Sequence, residues 1–228
     1  MEKKRNGSFH FMANTIQAVI WDLDGVIIDS ADAHRRAWQR LAKDEGITLT
    51  DADFWATFGK RNDDIIPLIW GSLPPQQIQT LADRKEAYFR EYVRDTIAPL
   101  PGSMELMRAL HEAGFAQALA TSTPKENIEL ISELLHLSDY LSALVSGESV
   151  PRGKPAPDIF LKAAEELHKS PGVCVVIEDA VAGVQAAHAA GMRCIAVAGN
   201  RNLSGLRAAE LMVKDLTEVS VEQIRDLA

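Results

Sequence analysis

The sequence predicts an α/β fold: a doubly wound parallel sheet with a small α-helical unit inserted near its start. Three observations point there. Apolar runs of strand length recur along the chain and end in polar residues, helical patterns lie between them, and one long stretch, residues 32–98, carries helix signals without a convincing strand. Strands that alternate with helices pair in parallel and carry helices on both faces of the sheet. Strands buried on both sides read as continuous apolar runs rather than alternating ones.

The strands come first. IQAVIWDLDG (16–25), FAQALATST (115–123) and VCVVIEDA (173–180) each have β-branched or aromatic content and end at a turn former or a cap. LSALVSG (141–147) and RCIAVAG (193–199) repeat the pattern more weakly. Between them, SMELMRALHEAG (103–114) places Met104, Leu106, Met107 and Leu110 on one stripe and stops at Gly114. PKENIELISELLHL opens on Pro124 with Ile128, Ile131, Leu134 and Leu135 at helical spacing, and APDIFLKAAEELHK and AVAGVQAAHAAGM follow suit. The insert reads as ADAHRRAWQRLAKDEG, DADFWATF, NDDIIPLIWG and PPQQIQTLADRKEAYFREYV, with Ser30 at its entry and Pro99 and Pro101 at its exit. The expected organisation is a loose tail over 1–14, a core made of 15–31 and 99–228, and a helical unit over 32–98.

The 228 residues are 46% hydrophobic and 25% charged, ordinary for a globular protein, with a formal net charge of −8. An acidic surface argues against nucleic acid or an anionic membrane as the main partner. No apolar run approaches the ~18 residues that span a bilayer. The basic, mixed first residues lack the apolar core and cleavage site of a signal peptide, so the cytoplasm is the expected location. Cys174 and Cys194 sit inside apolar runs and read as buried thiols. The lack of a heptad seam makes a monomer the expectation.

The chemistry gathers where the strands end, because ligands of open α/β sheets bind outside the carboxyl ends of the strands. Asp22 and Asp24 leave the first strand and Gly25 permits a tight loop behind them. Glu178 and Asp179 leave another. Taken alone, the first pair reads equally as a turn, and Asp179 as the N-cap of the next helix. Together they put up to four carboxylates on one rim, where they raise one another's pKa unless a hard divalent cation is present, and Mg2+ suits phosphate chemistry. Thr121 and Ser122 offer hydroxyls and N–H groups to phosphate oxygens beside a helix N-terminus, although either could be a cap alone. Lys154, held out of helical geometry by Pro155, supplies a cation.

DLDGVIIDS, ATST, GKPAPDIF and IEDAVAG, in this order, resemble the four motifs of the haloacid-dehalogenase superfamily. The nearest subgroup resembles β-phosphoglucomutase and its phosphatase relatives, which have a Rossmann-like core and a helical cap. The resemblance implies that Asp22 is a nucleophile forming an aspartyl-phosphate and that Asp24 is the general acid and base. It implies Mg2+ on the Asp22 carboxylate, the Asp24 backbone carbonyl and Asp179, with Glu178 in or next to that set. Thr121 and Lys154 would hold the transferring phosphoryl group. Asp24 favours phosphate esters over the dehalogenase and phosphonoacetaldehyde-hydrolase branches, which lack an aspartate there.

The cap loop FGKRND departs from the mutase pattern. Its arginine position, three residues after Gly59, is Asn62, with Lys60 and Arg61 alongside. Thr123, Pro124 and Lys125 replace a Ser-Lys-Asn run, while His34 matches a mutase histidine and reads equally as a residue of the helix surface. The leading expectation is therefore a Mg2+-dependent phosphatase acting on a small phosphorylated metabolite, probing its substrate with Gly59 to Asn62 and with Thr123 and Lys125. A β-phosphoglucomutase-type mutase is the alternative, and a silent metabolite-binding or interaction protein the alternative of another class.

Overall fold

The structure is a computed structural model that describes residues 15–199 and 204–227; the expected tail over 1–14 lies outside the described residues. Five strands lie where the apolar runs put them: β1 (Ala18–Trp21), β2 (Ala116–Thr121), β3 (Ala143–Ser146), β4 (Cys174–Glu178) and β5 (Arg193–Val197). A sixth, β6 (Leu211–Val213), was not expected; three residues are too few for a periodicity to register. All pair in parallel in the order β3-β2-β1-β4-β5-β6. The chain runs outward from β1 to one edge, then returns to its other side, so the order reverses between β1 and β4.

Alternation along each strand sorts the core into two layers. Val19 and Trp21 of β1 face one layer with Leu119, Val175 and Ile177. There they meet Leu106, Met107 and Leu110 of α5 (Ser103–Glu112) and Ile128 and Ile131 of α6 (Lys125–Leu135). Ala18 and Ile20 face the other with Ala118, Ala120 and Val176. Their partners are Phe160 of α7 (Asp158–Glu166) and Val184 and Ala187 of α8 (Val181–Ala189). Both thiols are free and buried in this second layer, and burial pushes that of Cys174 up to about 11.

Between β1 and α5 the chain forms four helices and no described strand: α1 (Ala31–Asp44), α2 (Asp51–Thr57), α3 (Asn62–Trp70) and α4 (Pro75–Thr96). They bury a cluster of their own around Trp38, Leu41, Phe54, Ile65 and Ile66. Thr50 starts α2 with a capping box to Asp53. The two chain passages joining these helices to the sheet run side by side, tied by an Ile28–Pro99 bridge and a 2.7 Å bond from the Leu100 N–H to the Ile27 carbonyl. A short α9 (Val221–Arg225), opened by a capping box at Ser220, covers the core near the end of the described chain.

Candidate active site

The site lies at the reversal of strand order, where β2, β1 and β4 end side by side. Asp22 follows β1, its N–H donating to the Ile177 carbonyl of β4 at 2.9 Å, and its carboxylate is buried. Lys154 reaches it from the loop before α7, across a cis peptide to Pro155. The ammonium donates to Asp22 Oδ1 at 2.6 Å and to Glu178 Oε1 at 2.7 Å. Glu178 turns its other oxygen onto the N–H groups of Asp179 (2.7 Å) and Ala180 (2.6 Å). Glu178 thus holds the turn that leads into α8; the N-cap is Ala180, without a side-chain bond, so Asp179 is not the cap that the sequence suggested.

Two glycines make room for these carboxylates. A Cβ on Gly183 would fall 1.8 Å from Glu178 Oε1, and one on Gly25 would fall 2.1 Å from Asp179 Oδ2. Gly25 also has φ +81°, so glycine is required there twice over. The Asp179 carboxylate therefore sits against the backbone that follows Asp24.

Asp24 is held from three sides. Thr123 donates to its Oδ2 at 2.6 Å, Ser30 to its Oδ1, and His34 Nε2 stands 3.6 Å from Oδ1. Burial pushes this carboxyl up, but the contacts with His34, Ser30 and Thr123 outweigh it and hold Asp24 well below the usual carboxylate range. His34 is no surface residue: it stacks on Phe89 at 4.0 Å and takes a 2.8 Å contact from Lys85 at Nδ1. Thr121, buried at the end of β2, binds Thr123 through its hydroxyl, which donates to Thr123 Oγ1 (3.1 Å) and accepts the Thr123 N–H (3.2 Å).

Burial pushes the Asp22 carboxyl well above its ordinary range. Lys154 opposes this, while Glu178, Asp179 and Asp24 add to it. Burial likewise lowers the Lys154 ammonium, but Asp22 and Glu178 outweigh it and raise it above the ordinary lysine value. One buried ammonium thus serves a rim of four acids. Among the described residues no group of three or more His, Cys, Asp or Glu side chains could by itself hold a metal. The Asp24 carboxylate is committed to Ser30 and Thr123, and Glu178 to Lys154 and two backbone N–H groups. The set named by the resemblance, two carboxylates and one carbonyl, fits Mg2+, which takes one or two carboxylates and completes its shell with water and phosphate.

A cleft of about 820 Å3 opens over Asp22, Asp24, Thr121, Lys154 and Asp179 and is roofed by the helical insert, including Trp55, Phe58, Gly59 and Lys60. Ser122 lines it too. Arg61 pairs with Asp63 at 3.7 Å and packs on Gly153, beside Lys154. Asn62 turns its amide to Glu86 at 2.8 Å. Lys125 does not join the site: its side chain is 71% exposed and pairs with Glu129 along α6. Sequence reasoning missed Ser30, read as a boundary, and Lys85 and Glu86, buried within a helix that looks like a charged surface helix.

A family model described as haloacid dehalogenase-like hydrolase matches residues 16–191. The chain is 32% identical, over 92% of its length, to the chloroplastic 5-amino-6-(5-phospho-D-ribitylamino)uracil phosphatase of Arabidopsis thaliana, of which it spans only 57%. It is 31% identical to hexitol phosphatase B of Escherichia coli K12, covering 92% of this chain and 96% of that one. A crystal structure of β-phosphoglucomutase from Clostridium difficile superposes with a TM-score of 0.84 at 27% identity, over 92% of this chain and 96% of that one. With the sheet order, the helical insert and the four motifs gathered on one rim, these matches have one meaning: the chain belongs to the haloacid dehalogenase-like hydrolases.

Proposed function

We propose that this chain is a phosphatase that hydrolyses a small phosphomonoester, a sugar or polyol phosphate, through an aspartyl-phosphate on Asp22. The observation that carries the reading is the placement of two carboxylates at the end of one strand with separate sets of partners. Asp22 faces Lys154, and Asp24, two residues on, is held apart by Thr123, Ser30 and His34.

On this reading the arriving phosphate dianion raises the pKa of Asp24, which takes up a proton; the Asp22 carboxylate then attacks phosphorus while Asp24 gives that proton to the departing alcohol oxygen. Asp24 then takes a proton from water, the resulting hydroxide attacks phosphorus, and the P–O bond to Asp22 breaks, releasing phosphate and restoring both acids. Lys154 and the Thr121 and Ser122 groups hold the phosphoryl oxygens through the in-line passage. Mg2+, when bound, supplies the positive charge that offsets those oxygens and lets Asp22 ionise. The helical insert excludes bulk water from the cleft. Hydrolysis is favoured over the mutase reaction because Asn62, at the position of the mutase arginine, is uncharged and engaged with Glu86.

The test measures inorganic phosphate released from a panel of sugar and polyol phosphates, with and without Mg2+, for the wild type and Asp22→Asn. Mg2+-dependent release by the wild type, abolished in a variant that keeps its thermal transition, is expected. Steady-state release by Asp22→Asn contradicts the covalent route. Isomerisation that needs a bisphosphate activator and frees no phosphate contradicts the phosphatase.

A further inference from the structure

A smaller cavity, of about 60 Å3, lies behind the cleft between the insert and the sheet edge. Asp24, Thr123, Trp38, Lys60, Asn62, Lys85 and Glu86 are among the residues that line it. On the proposed reading, Asp24 lines both the cleft and this cavity, so a leaving group protonated by Asp24 would extend toward this space. Glu86 is the feature the mechanism does not use: a carboxylate only 5% exposed. Its Oε1 accepts from Lys85 Nζ (2.7 Å) and Asn62 Nδ2 (2.8 Å), and its Oε2 from Asn127 Nδ2 (2.6 Å). Arg90 fixes Asn127 in turn through a 2.8 Å bond to Oδ1. Burial pushes the Glu86 carboxyl up, yet Lys85, His34 and Asn62 outweigh this and hold it below its ordinary value, so it is an anion at neutral pH.

We propose that Glu86 selects the leaving group, accepting hydroxyl hydrogen bonds from a neutral sugar or polyol and repelling a second phosphate. The substrate is then a monophosphate whose far end is uncharged. This deepens the phosphatase reading and rests on it. A carboxylate has about four acceptor sites, so three donors leave capacity for a substrate hydroxyl. A second phosphate in the same space would face a fixed anion away from bulk water. The buried cation there, Lys85, is already shared between Glu86 and His34. Lys60 also lines the cavity but is exposed, so solvent screens it.

Phosphate release, with Mg2+ present, decides it in two substrate pairs. Wild type is expected to favour fructose 1-phosphate over fructose 1,6-bisphosphate in kcat/KM by about tenfold or more, because like charges placed together discriminate strongly. It is expected to favour glycerol 3-phosphate over propyl phosphate by about tenfold or more, because a site built around a hydroxyl rejects the analogue without one. Glu86→Gln, with a cooperative melt, should narrow the first ratio by about tenfold, chiefly through KM for the bisphosphate. Wild-type ratios near one overturn the inference whether or not the variant folds, as does a folded variant with the first ratio unchanged. Failure to release phosphate from all four substrates overturns the phosphatase reading and this inference with it; release at ratios near one overturns this inference alone.

Discussion

Lys154→Met is the sharpest perturbation available, because it removes one charge from a buried triad at nearly constant volume. Its side chain is 6% exposed, and those of its partners Asp22 and Glu178 are 8% and 2% exposed, so solvent cannot take over its role. Breaking a buried ion pair by removing one partner costs about 3–5 kcal/mol. For a chain of this size each kcal/mol lowers the melting temperature by about 2–4 °C, so a fall of about 6–20 °C is expected. The sign of the pH dependence follows from which group keeps a proton. Without the ammonium, the Asp22 carboxyl rises further above its unfolded value. A group raised in the folded state stabilises fully below its unfolded pKa and loses that contribution as pH rises through its folded one. The gap between wild type and variant should therefore widen from pH 5 to pH 8. Phosphate release should fall by about 10²–10³-fold, since a donor to the phosphoryl oxygens is gone and Asp22 ionises less readily. Melts monitored by circular dichroism at pH 5, 6.5 and 8, paired with turnover, give both readouts. A melting temperature within about 2 °C of wild type at pH 8, or a gap that does not change with pH, refutes the electrostatic account.

Thr123→Val removes one of three supports of the Asp24 carboxylate at constant shape, and a hydrogen bond to a charged group is worth about 1.5–3 kcal/mol. Asp24 is depressed in the folded state, so its contribution is present above the ordinary value of 3.8 and is lost as pH falls through the folded one. Urea melts should thus give the same difference at pH 5 and pH 7, unlike Lys154→Met; a difference that changes over this interval counts against the assignment. Gly25→Ala forces a left-handed backbone, worth about 1–2 kcal/mol, and a Cβ 2.1 Å from Asp179 Oδ2. The thermal shift given by Mg2+ should shrink or vanish in that variant; an undiminished shift would show that Asp179 takes no part in holding the ion.

The sequence made the fold legible where burial is two-sided. Val19 and Trp21 face one layer and Ala18 and Ile20 the other, so no polar residue interrupts β1 and the run is visible without any partner in view. The site was legible for the same reason: a carboxylate that follows such a run must emerge at the sheet's edge. What escaped lies where tertiary packing reverses a local reading. Lys85 and Glu86 occur in LADRKEAYFREY, which reads as a solvated helix face, and the approach of residues distant in sequence, His34, Asn62 and Asn127 among them, buries them. Ser30 precedes α1 as a cap would, yet its hydroxyl goes to Asp24 and α1 begins without a side-chain cap. Lys125 follows the second motif closely in sequence, but the first turn of α6 points it to Glu129 and solvent.

The geometry also explains why acids can crowd one edge of a folded chain. Each has been given a different occupation: Glu178 holds the turn before α8 and anchors Lys154, Asp24 is satisfied by hydroxyls and a histidine, and Asp179 lies against Gly25. Asp22 keeps an unfavourable balance, with one ammonium set against its own burial and three neighbouring acids. Sites of chemistry retain such imbalance because relieving it, by an amide at position 22 or a second permanent cation, would remove the poised anion. On the proposed reading, a bound Mg2+ would offset that excess of negative charge around Asp22. The same logic makes Gly25 and Gly183 costly to replace although neither carries a functional group: a single Cβ at either would push a carboxylate out of the position that defines its role.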